Sequence, residues 1–123
     1  MPVRVEFTPE SAKDLAGYAR SGHINWFLAK LIRIEDHGRL AGTRLSGELA
    51  GFFKVVVGDR DWRIVFFVDE TDSIATILVI GDRDDAECYE IAVERLKILS
   101  TSTKRVSLAA AIAQLPQFQK KKP

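Results

Sequence analysis

A chain of 123 residues, 46% of them hydrophobic, has room for one domain with a core of its own and needs neither disulfides nor a structural metal to hold it. A single cysteine, Cys88, excludes an intrachain disulfide framework and suits a reducing compartment. The net charge of +1 says little by itself, the charged start from Val3 to Glu6 is unlike a secretory leader, and no apolar run reaches membrane-spanning length, so a cytoplasmic protein is expected.

In chain order, Val3-Arg4-Val5-Glu6-Phe7 alternates with period two and predicts a strand. Thr8-Pro9 then opens a helix, because threonine caps free N–H groups and proline at the first helical position needs no donor. Ala12, Leu15, Ala16 and Ala19 recur at helical spacing until Ser21-Gly22 breaks the run. A second helix starts near Asn25, carries Ile24, Phe27, Leu28, Leu31 and Ile34 on one stripe, and stops at His37-Gly38. The two helices form a hairpin whose apolar stripes need a sheet to cover them.

Residues 52–57, 63–68 and 74–80 read as strands joined by short hairpin-like linkers, so they are expected to be antiparallel neighbours, the second and third central. Twist would curve this sheet around the helices and leave a concave face on the other side. A closing helix after Arg83 puts Tyr89, Val93 and Leu96 on one stripe. From Ser100 a Ser/Thr run marks a linker, followed by a short helix over 106–115. The expected architecture is α+β, one domain over 1–99 with a basic extension over 100–123. Beyond Leu99 there are no acids, only Lys104, Arg105 and Lys120 to Lys122, a tail suited to nucleic acid, to an acidic partner or simply to solvent.

Charges inside apolar strands are the informative feature. Lys54 interrupts Phe53-Lys54-Val55, Arg63 interrupts Trp62-Arg63-Ile64-Val65-Phe66, and Arg83 follows Gly81-Asp82 with Tyr89 six positions on. A cation in such a run must reach solvent or be paired, and three successive elements that carry one suggest a shared cationic site. Each has a structural alternative: an exposed lysine, an Arg63 pair with Asp69 or Glu87, an Arg83 neutralised by neighbouring acids, a core tyrosine. Arg33, Arg39 and Arg44, near the helix-to-sheet junction, are candidates to face RNA, or else a solvated helix end. His23 and His37 stand far apart, Cys88 has no His and Asn partners, and no glycine-rich phosphate loop occurs, so neither metal nor cofactor is expected.

These residues, with Leu45-Ser46-Gly47 ahead of the first central strand, resemble the RelE branch of the RelE/ParE toxins of bacterial toxin–antitoxin pairs, over roughly residues 3–99. The resemblance implies a ribosome-dependent endoribonuclease with Lys54, Arg63, Arg83 and Tyr89 as catalytic residues. It also implies a cognate antitoxin as partner and the ribosome with its messenger RNA as target. The family's better-known nucleases carry a second lysine two positions after the first, where this chain has Val56. A ParE-like inhibitor of DNA gyrase, or a degenerate member kept as an interaction module, is the alternative reading.

Overall fold

The computed structural model describes residues 2–19, 22–59, 62–69, 71–82, 85–99 and 104–115. Strand β1 (Arg4–Phe7) leads into helices α1 (Pro9–Ala19) and α2 (Ile24–His37). A short 3-10 turn separates α2 from β2 (Thr43–Arg44), and a second one precedes β3 (Phe53–Val57). Then come β4 (Trp62–Val68), β5 (Ile74–Asp82), α3 (Asp85–Ile98), β6 (Val106–Ser107) and α4 (Leu108–Ala113). The six strands make one sheet in the order β2-β3-β4-β5-β1-β6. The pairs β3–β4 and β4–β5 are antiparallel as their short connections require, whereas β1 lies parallel to β5.

Local chemistry explains the helix starts and stops. Ser11 N–H donates to Thr8 Oγ1 at 3.1 Å and Thr8 N–H donates back to Ser11 Oγ at 3.0 Å, a reciprocal cap at the mouth of α1. Ser11 Oγ also donates to Ile77 O at 2.7 Å, which ties the helix to the central strand. α2 ends at Gly38, whose φ of 58° favours a residue without Cβ.

The sheet has two unlike faces. Phe53, Val55, Val57, Ile64 and Phe66 point toward Leu15 of α1 and Phe27, Leu31 and Ile34 of α2, and form the main core. On the opposite face α3 lies over Val65, Leu78 and Val79 through Cys88 and Ala92. The face expected to be open is therefore partly roofed by the closing helix. Both Leu78 and Val79 join this second core because a bulge interrupts the ladder: Val65 pairs with Val79, but Phe66 pairs with Ile77.

Pairing of β1 with β5 ends at Phe7 and Ile77, so the last part of β5 has no neighbouring strand on that side. Two side chains take its place. Ile80 N–H donates to Asp14 Oδ2 at 3.1 Å, and Arg95 Nη1 donates to Leu78 O at 3.1 Å. The two are joined as a fork, Nη1 to Oδ2 at 2.6 Å and Nη2 to Oδ1 at 3.1 Å, so α1 and α3 are clamped across the strand edge. Asp14→Ala is expected to cost about 2 kcal/mol, the scale of a hydrogen bond to a charged group. Arg95→Ala should cost the same, and the double variant little more than either in urea unfolding; additive losses would show that the pair does not act as a unit.

The described part of the extension packs on the domain. A helix was expected from residue 106, but Val106 and Ser107 instead pair with Phe7 and Glu6, because the outer edge of β1 would otherwise have no partner. Ser107 Oγ then accepts from Ala110 N–H at 3.1 Å, and α4 with the residues just after it delivers Ala111 and Leu115 to the main core. The expected Ser/Thr linker from Ser100 to Thr103 and the terminal lysines lie outside the described residues.

Candidate functional site

Alternation along the two strands decides where the cations go. Lys54 stands opposite Val65 and Arg63 opposite Val56, so both leave the sheet on the α3 side, one diagonal step apart. Lys54 is half-buried, and its Nζ sits 5.9 Å from the centre of the Tyr89 ring. A cation at that distance is attracted by the ring face, by about 0.5–1 kcal/mol at an exposed site. Arg63 is only 8% exposed. Its Nη1 donates to Trp62 O at 3.1 Å, which fixes the fork against the strand. On β5 the residue opposite Arg63 is Gly81, and a Cβ there would come within 3.2 Å of Cys88 Sγ. Glycine thus lets α3 settle close to the strand end beside Arg63.

Three of the four expected catalytic residues, Lys54, Arg63 and Tyr89, accordingly share one face of the sheet. The fourth, Arg83, lies outside the described residues, between Asp82 at the end of β5 and Asp85 at the start of α3. Val56 is on the same face, opposite Arg63. Tyr89 also borders a hollow of about 410 Å³ between α3 and the turn before β3, where Ser46, Glu48, Glu90, Glu94 and Lys97 supply the polar lining, Lys97 paired with Glu94 at 3.3 Å.

Arg33, Arg39 and Arg44 are placed elsewhere. Arg44 stands opposite Phe53 and so belongs to the helix-covered face, and Arg33 is exposed on α2. Arg39 is a clamp on the β4–β5 turn: it meets Asp72 Oδ1 at 2.7 Å and donates to Val68 O and Asp69 O at 3.3 and 3.1 Å. That turn needs support, because Asp72 adopts a φ of 54°. Asp69 organises it by accepting from Ile74, Ser73 and Thr71, and the Ile74 and Ser73 backbone bonds foremost hold its carboxyl below the usual carboxylate range.

Another feature of this region was missed in the sequence. Tyr18 Oη donates to Asp82 Oδ1 at 2.9 Å and so anchors the end of β5 to α1. Burial first, then this bond and the charges of Asp82 and Asp14, push the phenol well above its usual value. A phenol with a raised folded pKa contributes stability that is complete below its unfolded pKa of about 10 and is lost as pH rises through the folded value. In an alkaline titration followed by phenolate absorbance, one of the two tyrosines is expected to ionise only with unfolding, and Tyr18→Phe to remove that step. A Tyr18 that titrates freely in the folded protein would contradict this assignment.

Among the described residues no group of three or more His, Cys, Asp or Glu is placed to hold a metal, and no helix is long and apolar enough to cross a membrane. No protein-family model matches the chain, and no curated protein matches its sequence. Solved structures do match. A double arginine-to-alanine mutant of Escherichia coli toxin RelE in the free state superposes with a TM-score of 0.62 at 20% identity, over 80% of this chain and 100% of that one. The chain has the RelE fold. A second match, the RelBE2 toxin–antitoxin complex of Mycobacterium tuberculosis, aligns at 25% identity over 67% of this chain and 99% of that one, with a TM-score of 0.45. The RelE-like arrangement expected from the sequence, a strand and helical hairpin on a largely antiparallel sheet with a closing helix, is what the structure contains.

Proposed function

We propose that this RelE-like chain is the toxin of a toxin–antitoxin pair and acts in the cytoplasm by cutting messenger RNA on the ribosome. The observation that carries the reading is the meeting of Lys54 and Tyr89 on the sheet face that also bears Arg63. In the reaction the RNA 2′-oxygen attacks the adjacent phosphorus, the bond to the 5′-oxygen breaks, and a 2′,3′-cyclic phosphate and a 5′-hydroxyl end result. One proton leaves the 2′-oxygen and one reaches the 5′-oxygen. Arg63, with Arg83, is suited to the added negative charge, since a guanidinium fork matches phosphate oxygens and stays ionised. Tyr89 and Lys54 serve the two proton transfers. Positioned proton transfer supplies about 10² to 10⁴ in rate, so the remainder must come from how the substrate is held, a role that falls to the ribosome. The sheet face that bears Lys54 and Arg63 is what a cognate antitoxin would mask.

The excess of carboxylates beside Tyr89, Glu48, Glu90 and Glu94 against Lys97 alone, favours a second reading, a ParE-like block of DNA gyrase by protein contact, because carboxylates repel an RNA backbone and tolerate a protein. Translation of a reporter message on purified ribosomes, with its 5′ ends mapped, decides between them. New internal ends bearing 5′-hydroxyls are expected. An intact message together with inhibited supercoiling would assign the protein to the second reading.

A further inference from the structure

Where β3 turns into β4, on the face opposite Lys54, the chain's two tryptophans meet a histidine. The His23 ring is 5.0 Å from both Trp26 and Trp62, tilted by 35° and 39°. Trp62 is backed in turn by Phe27 at 5.2 Å and Tyr18 at 6.0 Å. The stack is fixed at its base and open at its top, where Trp26 is 48% exposed. The turn beneath is shaped to it: Gly58 has a φ of 67°, and a Cβ there would lie 3.0 Å from the Trp26 ring and 3.1 Å from that of Trp62. A lone exposed apolar side chain is ordinary on a protein surface. This indole differs in being held rigidly by other rings. It also lines a hollow of about 490 Å³ shared with Ala29, Lys30, Gly58 and Asp59.

The geometry points to a binding site for an unpaired RNA base, guanine above all, stacked on Trp26; the inference rests on the proposed RNA-cutting role and names a substrate contact for it. An exposed indole face is a platform on which unstacked bases settle, and Lys30 supplies a cation for the neighbouring phosphate. Asp59 selects among bases. A carboxylate only accepts, so it suits the adjacent imino and amino donors of guanine and faces a carbonyl on either side of the single imino group of uracil. A protein partner seated on Trp26 would call for further large aliphatic side chains around it, and among the described residues the hollow offers only Ala29 and Gly58 with one ammonium and one carboxylate. Trp62 and Arg63 are successive residues whose side chains leave opposite faces at the same end of the sheet, so RNA that rounds this end reaches from the platform to the candidate site.

The test uses the full chain with two short probes, an oligouridine and the same oligomer carrying one central guanosine. Because the only tryptophans are in the stack, intrinsic fluorescence reports occupancy directly, and anisotropy of a labelled probe gives affinity. The guanosine probe is expected to quench emission and to bind about ten-fold more tightly than oligouridine. Trp26→Ala should erase that advantage, Trp26→Phe should retain most of it, and Asp59→Asn should reduce the ratio of the two affinities. Equal affinity of the wild type for both probes, or a preference that survives Trp26→Ala, would overturn the inference. Message mapping separates the two readings: guanosine preference without cleavage keeps the platform and removes the nuclease, and cleavage without preference does the reverse.

Discussion

Arg63→Lys is expected to lower ribosome-dependent cleavage by about 10² to 10³, the usual loss when one preorganised donor to a developing charge is removed. The substitution keeps the charge and an alkyl stem but replaces a planar fork by a point charge, so it isolates what the guanidinium geometry contributes. Alanine would be a poorer probe. Arg63 is nearly buried and its Nη1 holds Trp62 O, so truncation would open a gap against the sheet as well as delete the charge. With lysine the structural cost is about that of one hydrogen bond, near 1 kcal/mol. Single-turnover cleavage and the urea midpoint, measured on the same preparation, separate the two effects. A variant that cleaves at the wild-type rate would remove Arg63 from the mechanism, and one that loses activity only in proportion to its unfolded fraction would make it a structural residue.

The shared face of Lys54 and Arg63 was legible because strand alternation and a short hairpin connection leave little freedom of register. The approach of Lys54 to Tyr89 was not, since it depends on how α3 crosses the sheet, where Gly81 and the bulge at Leu78 set the packing. Arg39 shows the limit of reading charge from sequence. Its candidate RNA role came from clustering with Arg33 and Arg44, yet its guanidinium is engaged 2.7 Å from Asp72, thirty-three positions later in the chain. The same holds for the Asp14–Arg95 clamp and the Trp26–Trp62 stack, whose members lie far apart in sequence and carry no periodic signal. The helical hairpin, its Thr8-Pro9 start and the antiparallel β3–β4–β5 meander were all readable, because local capping, stripe spacing and connection length decide them. β6 was not, because two residues are too few for a period and only the open edge of β1 calls for them.

Leu115→Ala is expected to cost about 2 to 5 kcal/mol and to lower the thermal midpoint by roughly 10 °C or more. Leu115 is 0% exposed and belongs to the main core, although it lies in what the sequence presents as a basic extension. α4 has six residues, too few to hold a helix in water by itself. Its order therefore comes from docking, through Ala111 and Leu115 in the core and Leu108 and Ile112 packed beside them. The apolar stripe of Leu108, Ile112 and Leu115 is thus committed to its own domain. Arg105 adds a tether, with Nη1 2.6 Å from Thr76 Oγ1 and the guanidinium carbon 6.0 Å from the Phe67 ring centre. Removal of residues 104–115 should cost at least as much as the single substitution, since it uncovers the β1 edge in addition to the core. An unchanged midpoint in Leu115→Ala would show that the segment is not part of the cooperative unit.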